Sequence, residues 1–297
     1  WKYSRLVMVS SVLPAAVTGQ ATGQTLAIVP LGDLEWFVQD ACDLVEFANG
    51  PATSKWGRVR AERGHPEPFH MKYLGIGNEG VGMDYLERFL RVAKAFKAKH
   101  PEITVVASSG WSGEGGNWNL AWKVLSENKT EMIDEHYYMH PGWFLNSTKR
   151  YDTFDRNGPK SFVGEWACHI GTKANTQFSA LCEAAMMTGF ERNSDVVRMT
   201  AYAPLFGKVG HDQWRPNLIW FDNTRCMATP NYHVQKLFAT NRPTRLLPLT
   251  HSAMPQPLKA QGRIGLRSWD TSLEYKDLRV TRGGEPLYQF NPTVGLR

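Results

Sequence analysis

MKYLGIGNEG, residues 71–80, runs apolar through Leu74 and Ile76, then breaks at glycines onto an amide and a carboxylic acid, Asn78 and Glu79. A short β-rich run that ends on polar residues, followed by the helical periodicity of Met83 to Lys99, makes one strand-loop-helix step. The step recurs along the chain. TLAIVP (25–30), ITVVASS (103–109), EMIDEHYY (131–138), KSFVGEW (160–166) and VVRMTAY (196–202) have the same character. Helical periodicity runs over Leu34 to Phe47, Trp118 to Ser126, Gly142 to Arg156 and Asn175 to Phe190, with stops at Pro101 and Gly158-Pro159. Strands alternating with helices predict a parallel α/β sheet. The strand ends carry Gly, Asn, Ser, Glu or His and gather on one rim, which in a β/α barrel bears the active site.

A closed barrel takes eight strands. The predicted fold is therefore a (β/α)8 TIM-type barrel over residues 25–240, incomplete at its N-terminus unless residues 5–13 supply a strand. Residues 1–24 are left unassigned; their apolar run after Lys2 and Arg5 faintly resembles the first regions of a signal peptide. Beyond about residue 226 the alternation stops. Tyr232 to Phe238 reads as a helix, residues 262–284 alternate like antiparallel strands, and 241–297 are expected to form part of a β-sandwich-like C-terminal region.

Composition narrows the function classes. The chain has 297 residues, 42% hydrophobic and 21% charged, which suits a globular protein. Its net charge of +6 comes from scattered residues, and the densest basic run, Lys94 to His100, is the solvated face of a helix, so no nucleic-acid partner is expected. No stretch is long and apolar enough for a membrane span. Cys42, Cys168, Cys182 and Cys226 form no CxxC pair, and buried free thiols are expected rather than zinc ligands or a disulfide framework. Eleven Trp, ten Tyr and fourteen Phe suit sugar-stacking platforms as well as core.

Two of the strand ends carry carboxylic acids, Glu79 and Glu165. Around a closing barrel both point into one mouth, and two carboxyl groups facing across a sugar are what glycoside hydrolysis needs: one protonates the leaving oxygen, the other attacks or activates water. The competing structural reading is that each Glu caps the following helix or pairs with a cation. Glycines beside both, which allow close backbone approach, favour catalysis. In the run Asp134-Glu-His-Tyr-Tyr138, alternation places His136 and Tyr138 on one face and Tyr137 on the other. His136 and Tyr138 can then orient a nucleophile and bond sugar hydroxyls, or His136 can be a satisfied core histidine. The HxxxH spacing of His136 and His140 spans a strand and a Pro, so no metal site is predicted. Gly113 to Gly116 lacks the ending of a phosphate loop, and no GxSxG elbow is present.

Three blocks then carry a resemblance: WGRVRAERGHPEPFHMKYLGIGNEG (56–80), DEHYYMHPGWFLNSTKRYDTFDRNGPKSFVGEWA (134–167) and YAPLFGKVGHDQWRPNLIWFDN (202–223). In content, order and spacing they resemble α-L-arabinofuranosidases of glycoside hydrolase family 51, over roughly residues 30–240. The resemblance implies a retaining, exo-acting enzyme on a (β/α)8 barrel with an attached β-sandwich. Such an enzyme removes terminal α-L-arabinofuranosyl units from arabinan, arabinoxylan and related polymers without a cofactor. It implies Glu79 as general acid/base, Asn78 bonding the sugar 2-hydroxyl, Glu165 as nucleophile, His136 and Tyr138 supporting it, and Asn217 as a sugar-contacting amide. Polymeric substrates imply an extracellular setting, and an oligomer is compatible with the sequence. The chain departs from the pattern at Gly80, usually polar, and at Trp166, commonly Tyr; the family's first barrel strands, with an early arabinose-contacting Glu, have no recognisable counterpart. The rival readings are another retaining barrel glycosidase, an endoglucanase or xylanase, and a non-catalytic carbohydrate-binding remnant.

Overall fold

The computed structural model describes residues 6–9, 29–247, 279–282 and 285–289. Strands and helices are numbered in chain order. Residues up to Leu246 form one compact unit and Leu247 to Arg297 a second. In the first, six parallel strands lie side by side in sequence order: β1 (Leu6–Val9), β2 (Tyr73–Ile76), β3 (Thr104–Ser108), β4 (Met132–Met139), β5 (Lys160–Cys168) and β6 (Val197–Tyr202). The helices between them are α1 (Leu34–Asn49), α2 (Lys55–Glu62), α3 (Gly82–Lys99), α4 (Gly116–Glu127), α5 (Pro141–Asn146) and α6 (Gln177–Arg192). Unbroken sequence order with parallel pairing is the barrel-type winding that the alternating pattern predicts.

Strand alternation divides the core into layers. Leu74, Ile76, Val105, Ala107 and Ile133 face outward and pack on Val38, Val45, Leu86, Phe89 and Phe96 of α1 and α3. On α3 the buried positions 85, 86, 89, 92 and 96 form one stripe, so a single face covers the sheet. Burying each of Phe89 and Phe96 completely contributes about 1.5–3 kcal/mol. Intervening residues Val106, Met132 and Phe162, with Tyr73 and Met199, fill the inner face. A third layer of Tyr137, Phe144, Tyr151, Trp166 and Phe190 packs between β4, β5 and α6.

Several predicted elements shift. The first strand is β1 at Leu6–Val9, within the alternative considered for residues 5–13, and it pairs with β2. Residues 25–28 of the predicted strand TLAIVP lie outside the described residues; Val29 and Pro30 are not strand and lead into a 3-10 turn at Leu31–Asp33. The helix predicted over Gly142 to Arg156 stops at Asn146. Past it, the Thr148 carbonyl accepts a hydrogen bond from Arg192 of α6, and Arg150 turns inward to bond Glu135. These tertiary bonds take the place of a continued helix, leaving a short 3-10 turn at Arg150–Thr153. Helix α2, whose Ser54 N-cap accepts from the Gly57 N–H, was not anticipated. Nor was a small sheet of β7 (Phe206–Lys208), β8 (Ile219–Phe221) and β9 (Cys226–Ala228), whose three-residue strands are too short to show a period. Helix α7 (Pro230–Thr240) closes the unit. Cys42, Cys168 and Cys182 are buried, whereas Cys226 is exposed, on the open edge of the short strand β9. In the second unit, β10 (Arg279–Arg282) and β11 (Glu285–Gln289) pair antiparallel; residues 262–278 of the predicted strand region lie outside the described residues.

Candidate active site

Glu79 sits in the turn that leaves β2. The phenol of Tyr85, on the first turns of α3, lies beneath: its hydroxyl donates to the Ile76 carbonyl and accepts from the Ser108 N–H, both at 2.7 Å, tying β2 to β3. A Cβ at Gly77 or Gly80 would run into the Tyr85 ring, so the turn wraps a buried aromatic only because both positions are glycine. Glu79 itself adopts φ 52°, a left-handed conformation costly for a residue with a Cβ and concentrated at functional sites. Glu79 caps nothing, since the α3 N-cap is Val81. Asn78 is half-buried in the same turn.

On β4 the inner-face residues are Asp134, His136 and Tyr138, while Glu135 and Tyr137 face the helices. The outward Glu135 is completely buried, and it accepts from Trp118 Nε1 at 2.9 Å, Arg150 at 2.7 Å and Tyr151 at 2.8 Å, as well as from Ser161. Arg150 in turn lies over the Trp118 ring at 4.6 Å. A buried carboxylate of this kind is tolerable because its lone pairs are filled, and the network anchors the back of the strand that carries the site.

Strand parity by itself would point Glu165 the wrong way. Val163 of β5 packs on the helix side, and a residue two further along would follow it. The register instead pairs Glu135 with Val163 and His136 with Glu165, leaving Gly164 as the extra residue of a β-bulge. That single insertion turns Glu165 into the mouth. A Cβ at Gly164 would strike the Asp134 carboxylate, whose Oδ1 accepts the Gly164 N–H at 3.0 Å.

The four residues then meet. Glu79, His136 and Glu165 present ligand atoms all within 4.8 Å of one another. His136 Nδ1 is 3.1 Å from Glu79 Oε1 and 3.7 Å from Glu165 Oε2; its Nε2 is 3.0 Å from Asp134 Oδ2. The Tyr138 hydroxyl donates to Glu165 Oε2 at 2.7 Å. Burial disfavours the imidazolium of His136, but Asp134, by charge and hydrogen bond, followed by Glu79 and Glu165, outweighs it and holds the ring proton up to about 10. Burial, then the Glu165 charge and hydrogen bond, raises the Tyr138 phenol and keeps it a donor. The cluster has the compactness of a cation site, and both nitrogens of His136 face carboxylates, Nε2 toward Asp134 and Nδ1 toward Glu79.

Asn217 lies one layer away. It is buried and donates its amide to the Trp214 carbonyl, and the Trp214 ring packs edge-on to Tyr138 at 5.7 Å. His169, just past β5, stacks on Tyr138 at 5.2 Å, while Lys173 covers Trp214 at 4.7 Å. Burial, aided by Lys173, lowers His169 to about 4 and leaves it neutral. Sequence reasoning missed Asp134, Gly164, His169 and Trp214. Asp134 was within reach, two positions before His136 on the same strand face; Trp214 carries no local signal.

Fold and site together define a β/α-barrel protein with a carboxylate pair at the carboxyl rim of its sheet. Residues 6–156 match the α-L-arabinofuranosidase 1 domain and residues 164–282 the α-L-arabinofuranosidase C-terminal domain. The chain belongs to the α-L-arabinofuranosidase family, glycoside hydrolase family 51. It is 46% identical, over 91% of its length and 32% of the relative's, to an extracellular exo-α-L-arabinofuranosidase of Streptomyces chartreusis. It is 37% identical, over 71% of its length and 30% of the relative's, to α-L-arabinofuranosidase 2 of Arabidopsis thaliana. Among solved structures it resembles an arabinose-bound MgGH51 α-L-arabinofuranosidase, with a TM-score of 0.63 and 32% identity over 74% of this chain and 36% of that one. The Thermotoga maritima α-L-arabinofuranosidase in its arabinose complex shares the fold, with a TM-score of 0.53 and 21% identity over 68% of this chain and 47% of that one. The chain spans about a third of the length of the curated relatives it matches.

Proposed function

We propose that this chain carries the catalytic centre of a retaining, exo-acting α-L-arabinofuranosidase that acts on terminal α-L-arabinofuranosyl units of arabinan, arabinoxylan or related saccharides. The observation that carries the reading is the approach of Glu79 and Glu165 to within 4.8 Å. Retention uses carboxyl groups about 5–5.5 Å apart, and inversion needs about 6.5–9.5 Å to admit a water.

Glu165 is the nucleophile. Its Oε2 accepts from Tyr138, which fixes the carboxylate, while the other oxygen is left for the anomeric carbon. Glu79, at the facing strand end, donates a proton to the departing glycosidic oxygen, and the sugar remains as an ester on Glu165. Glu79 then takes a proton from water as that water releases arabinose, and the two inversions restore the original anomer. Asn78, next to Glu79, is assigned to the sugar 2-hydroxyl, and Asn217 to the subsite wall through its hold on Trp214. The Streptomyces relative's description as extracellular supports the same setting here, with arabinose-containing saccharides as partners.

The test is release of 4-nitrophenol from its α-L-arabinofuranoside by the chain, with the anomer of the first product read by NMR. Glu79→Ala is expected to lower turnover about 10²–10⁴-fold, less with a more acidic phenol as leaving group, because general acid catalysis contributes that much. Glu165→Ala is expected to abolish it. Cleavage confined to the interior of xylan or glucan would move the assignment to an endo-acting barrel glycosidase. Arabinoside binding without turnover would make the chain a carbohydrate-binding remnant.

A further inference from the structure

The chemistry above gives Glu79 a proton to deliver and gives no reason for a buried imidazole to lie against it. We propose that Asp134 is a positioning residue that orients His136 so that His136 Nδ1 and Glu79 share the one proton passed to the leaving oxygen. This rests on the reading of Glu79 as acid/base.

Geometry leaves the imidazole one orientation. Asp134 and His136 are each 1% exposed, and both Asp134 oxygens are engaged, Oδ1 by the Gly164 N–H and Oδ2 by His136 Nε2. Facing a carboxylate, Nε2 must be the N–H donor. Nδ1 is then turned to Glu79 Oε1 at 3.1 Å, with Glu165 Oε2 further off at 3.7 Å. Two states satisfy every atom. In one, an imidazolium donates to the Glu79 carboxylate; in the other, a neutral imidazole accepts from the Glu79 carboxyl. They differ only in where one proton sits along a single hydrogen bond.

The proton balance closes without another reagent. As the glycosidic bond breaks, Glu79 gives its proton to the oxygen; where that proton resided on Nδ1, it crosses to Glu79 first, leaving neutral His136. When water attacks the ester, Glu79 accepts a proton and shares it back to Nδ1. The charged groups facing His136 are Asp134 on its own strand, Glu79 from the β2 turn and Glu165 from β5, with the Tyr138 phenol beside Glu165. Among the described residues, no Lys or Arg forms an ion pair with any of these three acids. The high proton affinity of His136 is consistent with such a cage.

The test follows the ring nitrogens by NMR in the whole chain labelled with 15N-histidine. His136 is expected to be doubly protonated at pH 7 in the parent. In Asp134→Asn it should lose a proton at a pH lower by about 1–3 units, the effect of removing one adjacent opposite charge. Glu79→Gln, at a partly exposed site where misfolding is no concern, should shift it in the same direction. A His136 Nδ1 that at pH 7 neither carries a proton nor accepts one from Glu79, or titration unchanged in both variants, overturns the proposal. With 4-nitrophenyl arabinofuranoside, the basic limb of kcat/KM in Asp134→Asn should move to lower pH; a merely structural Asp134 would scale the profile down without moving that limb. A parent chain without turnover defeats the assigned activity, and the NMR titration alone then decides the shared proton.

Discussion

At the residue scale the site is a set of hydrogen bonds made by few side chains, so single changes have specific costs. Tyr138→Phe removes a donor to a carboxylate, an interaction of about 1.5–3 kcal/mol. The expected result is a fall in kcat/KM of roughly 10–150-fold, with global stability near the parent's. Equal kcat/KM for the two proteins would remove Tyr138 from the machinery. Tyr85 behaves differently. Its hydroxyl bridges the Ile76 carbonyl and the Ser108 N–H inside the protein, and Tyr85→Phe leaves both unpaired. A loss of about 1–3 kcal/mol in urea unfolding is expected. The identities of Glu79, His136, Tyr138 and Glu165 were legible in the sequence because strand ends on one rim point to one place. The role of Tyr85 was not, because its ring reads as one more core aromatic on a helix stripe.

At the element scale the decisive feature is the bulge on β5. Parity would send Glu165 toward Trp166's helical layer, and one inserted glycine reverses it. Gly164→Ala forces a Cβ against Asp134 and Phe162. The cost expected for such overpacking is about 1–3 kcal/mol of stability, and turnover should fall further than stability, since the displaced group holds His136. Activity at parental level in a folded Gly164→Ala protein would show that the proposed role of Glu165 does not depend on the bulge. A glycine inside a strand pattern signals a bulge in general, but which neighbour it admits depends on the adjoining strand. The truncation of α5 has the same origin. The periodicity of Gly142 to Arg156 is helical, yet Arg150 finds a better partner in buried Glu135 than another helical turn would provide.

At the scale of the whole molecule, buried titratable groups set a pH dependence. Glu183 on α6 is fully buried and accepts the Cys168 N–H at 2.8 Å; burial, only partly offset by that bond, raises it to about 8. A carboxyl with a folded pKa above its unfolded value of 4.5 binds more protons when folded, so its contribution is complete below that value and is lost as pH rises through about 8. His136, raised to about 10, adds a second loss at higher pH. The melting temperature is therefore expected to fall between pH 6 and pH 9, and Glu183→Gln to flatten that fall, by an amount on the order of a few kcal/mol in stability. A melting temperature constant over this range would count against the buried acid. The amino-acid sequence by itself determined the alternation of strands and helices and the rim on which polar residues collect, because periodicity and turn chemistry are local properties of the chain, while the blocks 56–80, 134–167 and 202–223 carried the resemblance to the family. Only the tertiary structure decided that Leu6–Val9 pairs with Tyr73–Ile76, that Gly164 reverses the facing of Glu165, and that Asp134 stands behind His136. Those outcomes depend on which atoms of neighbouring strands compete for the same space and the same hydrogen bonds, and no pattern along one strand encodes its neighbour.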